Sequence, residues 1–225
     1  MSIALDFGAV LAQWPILLKG LAWTVGLTAV SATLGTVIGI GGAWARSQGP
    51  APLRWLVGAY VELIRNTPFI VQLFFIFFGL PALGVKLSPE TASVLAMVIN
   101  LGAYASEIIR AGIQATPRGQ IEAALSLALS RAQTFVYVVL PPALRKVWPA
   151  LVSQIVIVML GSAVCGQISA EELSFAANLI QSRNFRAFES FILVTGMYLL
   201  LAIGLRALLN WAGPRFIWGK PVAAR

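Results

Sequence analysis

Long apolar runs separated by short polar stretches set the pattern of this chain. The runs cover roughly 17–44, 68–83, 90–113, 143–167 and 190–212. A helix needs about 20 apolar residues to cross the hydrocarbon core of a bilayer, so each run predicts a membrane span. The second run is the shortest and must borrow from an amphipathic lead-in at 52–66, whose polar residues are Arg54, Glu62 and Arg65. The pattern predicts an all-α integral membrane protein, one transmembrane domain over 1–225 with five spans. Residues 114–142 are the main polar interruption.

Proline and the small polar residues predict where the helices begin and end. Ser88-Pro89-Glu90 reads as an N-cap, a proline at the first helical position and an acid in the first turn. Thr67 before Pro68 reads as a break with Thr67 as N-cap of the second span. Thr116 before Pro117 reads the same way, opening a helix that runs to about Leu127. Ser130 and Gln133 form a capping box that starts a second short helix, which Pro141 and Pro142 should stop. Ser169 to Glu172 reads as another capping box, ahead of an amphipathic helix with Leu173, Ala176, Ala177 and Ile180 on one side. In the first span Gly35, Gly39, Gly41 and Gly42 allow a close helix contact within the bundle.

Composition strengthens the membrane reading: 59% of the residues are hydrophobic, 11% are charged and mean hydropathy is +0.85. The net charge of +8 reads as basic anchoring of loops, with no nucleic acid implied. With the N-terminus outside, twelve of the 16 basic residues fall on the inner side, among them Arg46, Arg65, Arg110, Arg118 and Arg131. Lys19, Lys86, Arg183 and Arg186 fall outside. The expected topology is N-out/C-in, which puts 114–142 in the cytoplasm. No cleavable signal peptide is expected, since the start has Asp6 and no basic segment.

Candidate chemistry is sparse. Asn100, Tyr104 and Glu107 share one face of the third span. A membrane-depth acid should face a cavity or a partner, and Arg110 one turn on is the nearby alternative. A broken helix at membrane depth needs protein or a water-filled cavity beside it, which makes Thr67, Pro68 and Gln72 candidate pathway residues; the same break also fits an ordinary elbow at the interface. Gly161, Ser162 and Gly166 leave the outer half of the fourth span small and adaptable, and Ser162 joins Asn100, Tyr104 and Glu107 as a candidate pathway residue. The single cysteine, Cys165, sits in an apolar run and reads as buried filler. There is no histidine, no Cys/His metal cluster and no phosphate-binding G-x-x-x-x-G-K-[ST] loop. Catalysis and metal binding by this chain are not expected.

The stretch Ile121 to Pro142 resembles the EAA loop of ABC-importer membrane subunits. Glu122, Ala123, Ala124, Leu140 and Pro141 match that pattern with its spacing kept, while Ala128 stands where glycine is usual and Val138 where isoleucine is usual. Glu62 to Pro68 with Val71-Gln72-Leu73, and Ala103 to Ile108 continuing through Gly119-Gln120, resemble the polar amino acid permeases of the histidine/glutamine type. The resemblance covers nearly the whole chain. It implies a type I ABC importer permease fold in the bacterial inner (cytoplasmic) membrane, multi-pass, with Arg118, Gly119, Glu122, Ala123, Ala124, Ala128, Leu140 and Pro141 coupling to an ATPase. It also implies an ABC ATPase dimer that carries ATP and Mg, an extracytoplasmic substrate-binding protein, and no cofactor on this chain.

Two departures qualify it. With Ala128 in place of glycine, the loop turn must avoid positive φ or accept strain. Many members carry Lys-Asp in the fourth span where this chain has Leu160-Gly161, and Met159 to Ser162 resembles the uncharged subunit of pairs built from two different permeases. The expected function is therefore a permease subunit importing a polar or basic amino acid or a related small compound, with a heterodimer favoured over a homodimer. A membrane scaffold or sensor that recruits a cytosolic partner through 114–142 is the alternative. Half of a secondary transporter fits less well, since Glu107 alone could serve ion coupling.

Overall fold

The computed structural model describes residues 5–217, and among these it is helical throughout, with no strand. After one helical turn at Gly8–Leu11, α1 spans Trp14–Gln48 and α2 spans Ala51–Arg65. Helix α3, Phe69–Phe74, continues as a π turn and a 3₁₀ turn to Leu83. Helix α4 is Pro89–Gln114 and α5 is Arg118–Ser126. A short lead-in from Arg131 feeds α6, Leu140–Gly161, which ends in a 3₁₀ stretch to Ile168. Helices α7, Leu173–Asn184, and α8, Ala187–Ala212, complete the chain.

Among the described residues, four helical stretches are long and apolar enough to cross a membrane: Trp14–Gln48, Pro89–Gln114, Arg131–Ile168 and Ala187–Arg215. The fifth candidate is the pair Ala51–Arg65 and Phe69–Leu83, bent by 109°. The predicted second span therefore qualifies only as this bent pair, since Phe69–Leu83 is too short to cross a membrane without α2.

Helix α4 lies at the centre. Its most apolar window is 61% buried, against 6% for that of α8. Leu101, Met97 and Ile109 of α4 join Leu73, Ile76, Phe135, Leu151 and Ile155 in the main core. The outer side of α8 leaves Leu199, Leu200 and Ile203 exposed, as expected of a face against lipid tails. A smaller core at the other end holds Leu17, Val194 and the apolar side of α7: Leu173, Ala176, Ala177 and Ile180.

The glycines of α1 explain how α4 becomes so enclosed. A Cβ at Gly35 would stand 2.8 Å from the Leu101 side chain. Gly39 faces Ala105 and Gly42 faces Ser106 with still less room. Lipid tails are as apolar as leucine, so helix association here depends on close van der Waals packing, which small residues permit. Gly41 points elsewhere, with open space around it.

Several helix ends differ from expectation. Thr116 is not an N-cap; Pro117 takes that position with extended ψ and no side-chain cap. Thr67 is not one either, and Pro68 starts α3. Pro141 and Pro142 do not stop a helix. The turn before them, Thr134–Val139, is a π turn, and the prolines open α6, where a missing N–H costs little. The capping box at Ser169 does not form, because Ser169 is left-handed at φ 66° and ends the preceding 3₁₀ stretch. Glu172 caps α7 instead, accepting from the N–H groups of Ser174 and Phe175. The Ser88 cap and the Ser130/Gln133 box form as expected.

Gly39→Leu should lower the thermal midpoint in detergent by the equivalent of about 1–3 kcal/mol, the usual range for overpacking. Gly41→Leu should leave it within error, and equal effects of the two would show that the seam does not discriminate.

Candidate coupling surface and polar pathway

The polar interruption folds as a knob. Helix α5 exposes Arg118, Gly119, Glu122 and Ala123. The Glu122 carboxylate makes no ion pair among the described residues. Ala124 behaves differently: it is 5% exposed and packs inward. The paired alanines therefore differ, Ala123 lying at the surface and Ala124 seating the helix.

The end of α5 is a Schellman turn. The Leu129 N–H donates to the Ala124 carbonyl at 3.2 Å and the Ala128 N–H to the Leu125 carbonyl at 3.0 Å. Such a turn needs a left-handed residue at its centre, and Ala128 adopts it at φ 59°. The substitution of alanine for the usual glycine accepts strain rather than avoiding it. The chain then re-enters a helix through the reciprocal cap: Gln133 N to Ser130 Oγ at 3.3 Å and Ser130 N to Gln133 Oε1 at 2.8 Å. Leu140 and Pro141, both half-buried, anchor the far end of the knob at the start of α6.

A second polar group runs from the α2–α3 elbow along α4. At the elbow the carbonyls that end α2 lack helical partners and receive side-chain donors instead. Thr67 Oγ1 donates to the Leu63 carbonyl at 2.8 Å. Gln72 Nε2 reaches back to the Ile64 carbonyl at 2.7 Å and to the Thr67 carbonyl at 3.0 Å. The other end of the same amide accepts from Asn100 Nδ2 at 3.0 Å, so Gln72 bolts the elbow to α4. One turn along α4, Tyr104 lies under the Arg65 guanidinium, 5.5 Å from ring centroid to cation.

One turn further, Glu107 collects three arginines from three helices. Arg46 at the end of α1 pairs with it, Arg110 pairs at 2.8 Å and Arg65 at the end of α2 stands at 3.9 Å. The local Glu107–Arg110 pair is real, and it is part of a larger clamp. Three cations around one carboxylate leave the clamp net positive, with Glu107 only 16% exposed. Its carboxylate is occupied by the protein's own cations. Arg46 and Arg65 were not visible as partners in the sequence, since they lie 61 and 42 positions from Glu107 and no local spacing links them.

The structure thus gathers Thr67, Pro68, Gln72, Asn100, Tyr104 and Glu107 into one line. Ser162 is not among them. It is fully buried, donates to the Met159 carbonyl at 2.7 Å and belongs to a separate cluster around Glu172 and Tyr198. There Glu172, fully buried, accepts from Ser174 Oγ at 2.5 Å and from the Tyr198 hydroxyl. Thr24 Oγ1 of α1 accepts from the Leu173 N–H at 3.1 Å. This cluster ties α7 to α1 and α8, and the only sequence hint was the acid at the start of α7. Among the described residues no group of His, Cys, Asp and Glu could hold a metal.

A bundle of membrane helices with an exposed helix-turn-helix knob between its third and fourth spans defines the membrane-spanning subunit of a type I ABC importer. The family model described as "binding-protein-dependent transport system inner membrane component" matches residues 35–218, and the chain belongs to that family. It is a multi-pass inner-membrane permease subunit with a transport role. The chain is 40% identical over 171 residues to the L-cystine transport system permease protein TcyB of Bacillus subtilis, covering 76% of this chain and 73% of that protein. It is 34% identical over 207 residues to the glutamine transport system permease protein GlnP of Escherichia coli, covering 91% and 94%. Among solved structures it resembles "an amino acid ABC transporter with histidines", at 35% identity and TM-score 0.83, covering 93% of this chain and 98% of that one.

Ala128→Gly should relieve about 1 kcal/mol of left-handed strain. Amides of 118–130 should then exchange hydrogen about fivefold more slowly wherever loop opening limits exchange. Unchanged or faster exchange would mean that the turn is not strained. Glu107→Gln removes the one counter-charge of three clustered arginines. It should cost about 1–3 kcal/mol, between the values for exposed and buried pairs, read as a lower unfolding midpoint in detergent. An unchanged midpoint would show that the clamp is not structural.

Proposed function

We propose that this chain forms half of the transmembrane pathway of an ATP-driven importer for a polar or basic amino acid or a close derivative. The observation that carries the reading is the α5 knob, with Glu122 unpaired and Ala123 exposed above a rigid, capped turn. A motor protein needs such a handle, because the switch between inward- and outward-facing states takes its energy from differential binding to the two. ATP and Mg belong to an ABC ATPase dimer that grips the knob through Arg118, Gly119, Glu122 and Ala123. Substrate is handed over by an extracytoplasmic binding protein on the opposite face. The substrate class rests on the names of relatives such as the cystine and glutamine permeases.

The Thr67–Glu107 line serves as the hinge and gate of this half rather than as a substrate site. Its amides and carboxylate already have partners within the chain. Substrate recognition then needs groups from elsewhere. Leu160 is exposed and Gly161 has open space around it, so the outer half of α6 offers no charge of its own. A second, related permease with polar groups at the matching height supplies them, which favours a heterodimer.

The test is uptake and substrate-stimulated ATP hydrolysis in proteoliposomes holding this chain, its ATPase and its binding protein. Transport should require the second permease, and full uptake without it would overturn the asymmetric reading. Ala123→Arg should leave the membrane domain folded but abolish ATPase co-purification, since the residue is exposed at the contact. Co-purification at the wild-type yield would remove the knob from the coupling role.

The charge distribution supports N-out/C-in. Cysteines introduced at Ser88 or Ser182 should label in intact cells, and one at Gln120 only after permeabilisation. The reverse pattern would invert the protein.

A further inference from the structure

Between the end of α1 and the knob lies a cleft of about 740 Å³. Its two walls carry the same gradient. Along α1 the lining passes from Ile40 through Trp44 to Gln48, from aliphatic to aromatic to polar within about 12 Å at 1.5 Å per residue. Opposite, it passes from Phe135 through Thr134 to Arg131, again from apolar to charged. That order is the profile of a membrane interface, with an apolar interior, aromatic groups at headgroup level and a basic residue outside.

The polar groups of this cleft are unused by the protein. Arg131 makes no ion pair among the described residues. Thr134 is 3% exposed, and its hydroxyl has no hydrogen-bond partner. That hydroxyl is shut inside the wall, so the polar groups the cleft presents to a ligand are Arg131, Gln48 and Trp44. Nothing in the coupling geometry uses Arg131, Gln48 or Trp44, since Glu122 and Ala123 of α5 lie on the open surface.

We propose that this cleft binds one anionic phospholipid from the leaflet on the side of the knob, with its phosphate at Arg131, Gln48 and Trp44 and its acyl chain along Ile40 and Phe135. A free phosphate would satisfy Arg131 but leave the apolar wall bare. A zwitterionic lipid would fill the wall but bring an ammonium beside the guanidinium. An anionic lipid satisfies both. Its position against the knob lets the charge of the leaflet bias the conformation through which the motor acts. The bias on the motor rests on the proposed transport function, while the lipid site itself does not.

The test is native mass spectrometry of the assembled transporter released from bilayers of phosphatidylglycerol and phosphatidylethanolamine. Wild type should retain phosphatidylglycerol in preference. Arg131→Gln should lose about fivefold in that retention, the value of one basic contact with an anionic surface. Gly41→Leu, which has open space to fill at the apolar end, should displace the lipid without touching the charge. ATPase co-purification, read in parallel, shows that each variant is assembled and keeps the failure of lipid binding separate from the failure of coupling. Equal retention of the two lipids, retention unchanged by both variants, or loss of the lipid when the ATPase docks would each overturn the proposal.

Discussion

The contact of α1 against α4 is the constraint on which the rest depends. In hydrocarbon no hydrophobic effect gathers helices, so the pair must gain from close atomic contact. Gly35, Gly39 and Gly42 bring the two backbones together at Leu101, Ala105 and Ser106. This contact carries the end of α1, with Arg46, to the level of Glu107 on α4. Without it the clamp would have no first arginine, and α4 would not be the enclosed centre of the bundle.

The elbow between α2 and α3 shows how a broken helix is kept at low cost. Breaking the chain at Thr67-Pro68 frees carbonyls that water would otherwise solvate. Thr67 and Gln72 donate to them, and Asn100 then completes the far end of the Gln72 amide. A polar network that is satisfied throughout is rigid, and this one joins the elbow to α4. The Glu107 clamp adds α1 to the same unit. Four helices, α1 to α4, are therefore tied together at this level, while the cluster around Glu172 holds α7 separately to α1 and α8.

The knob is rigid for reasons that are local. A Schellman turn ends α5, a capping box starts the next turn, and each satisfies its own backbone groups. Alanine at the left-handed position makes this turn somewhat less stable than glycine would.

The sequence alone determined what depends on local order. The apolar runs located the spans, because crossing length is a property of one segment. Ser88 and the Ser130/Gln133 box were legible because capping joins residues three apart, and the EAA spacing identified the knob and the family. Legibility failed where a backbone group had two possible partners: Thr67 and Thr116 resemble N-caps, yet Thr67 closes the helix before it and Pro117 stands as the cap of α5. Pro141 and Pro142 resemble a stop, yet a π turn before them makes them a start. Only the tertiary structure decided that Ala124 faces in while Ala123 faces out, that Ser162 lies apart from Gln72 and Asn100, and that Arg46 and Arg65 meet Glu107. Those facts depend on which helices touch, and side-chain contacts between segments 40 to 60 residues apart leave no period or spacing in the chain to read.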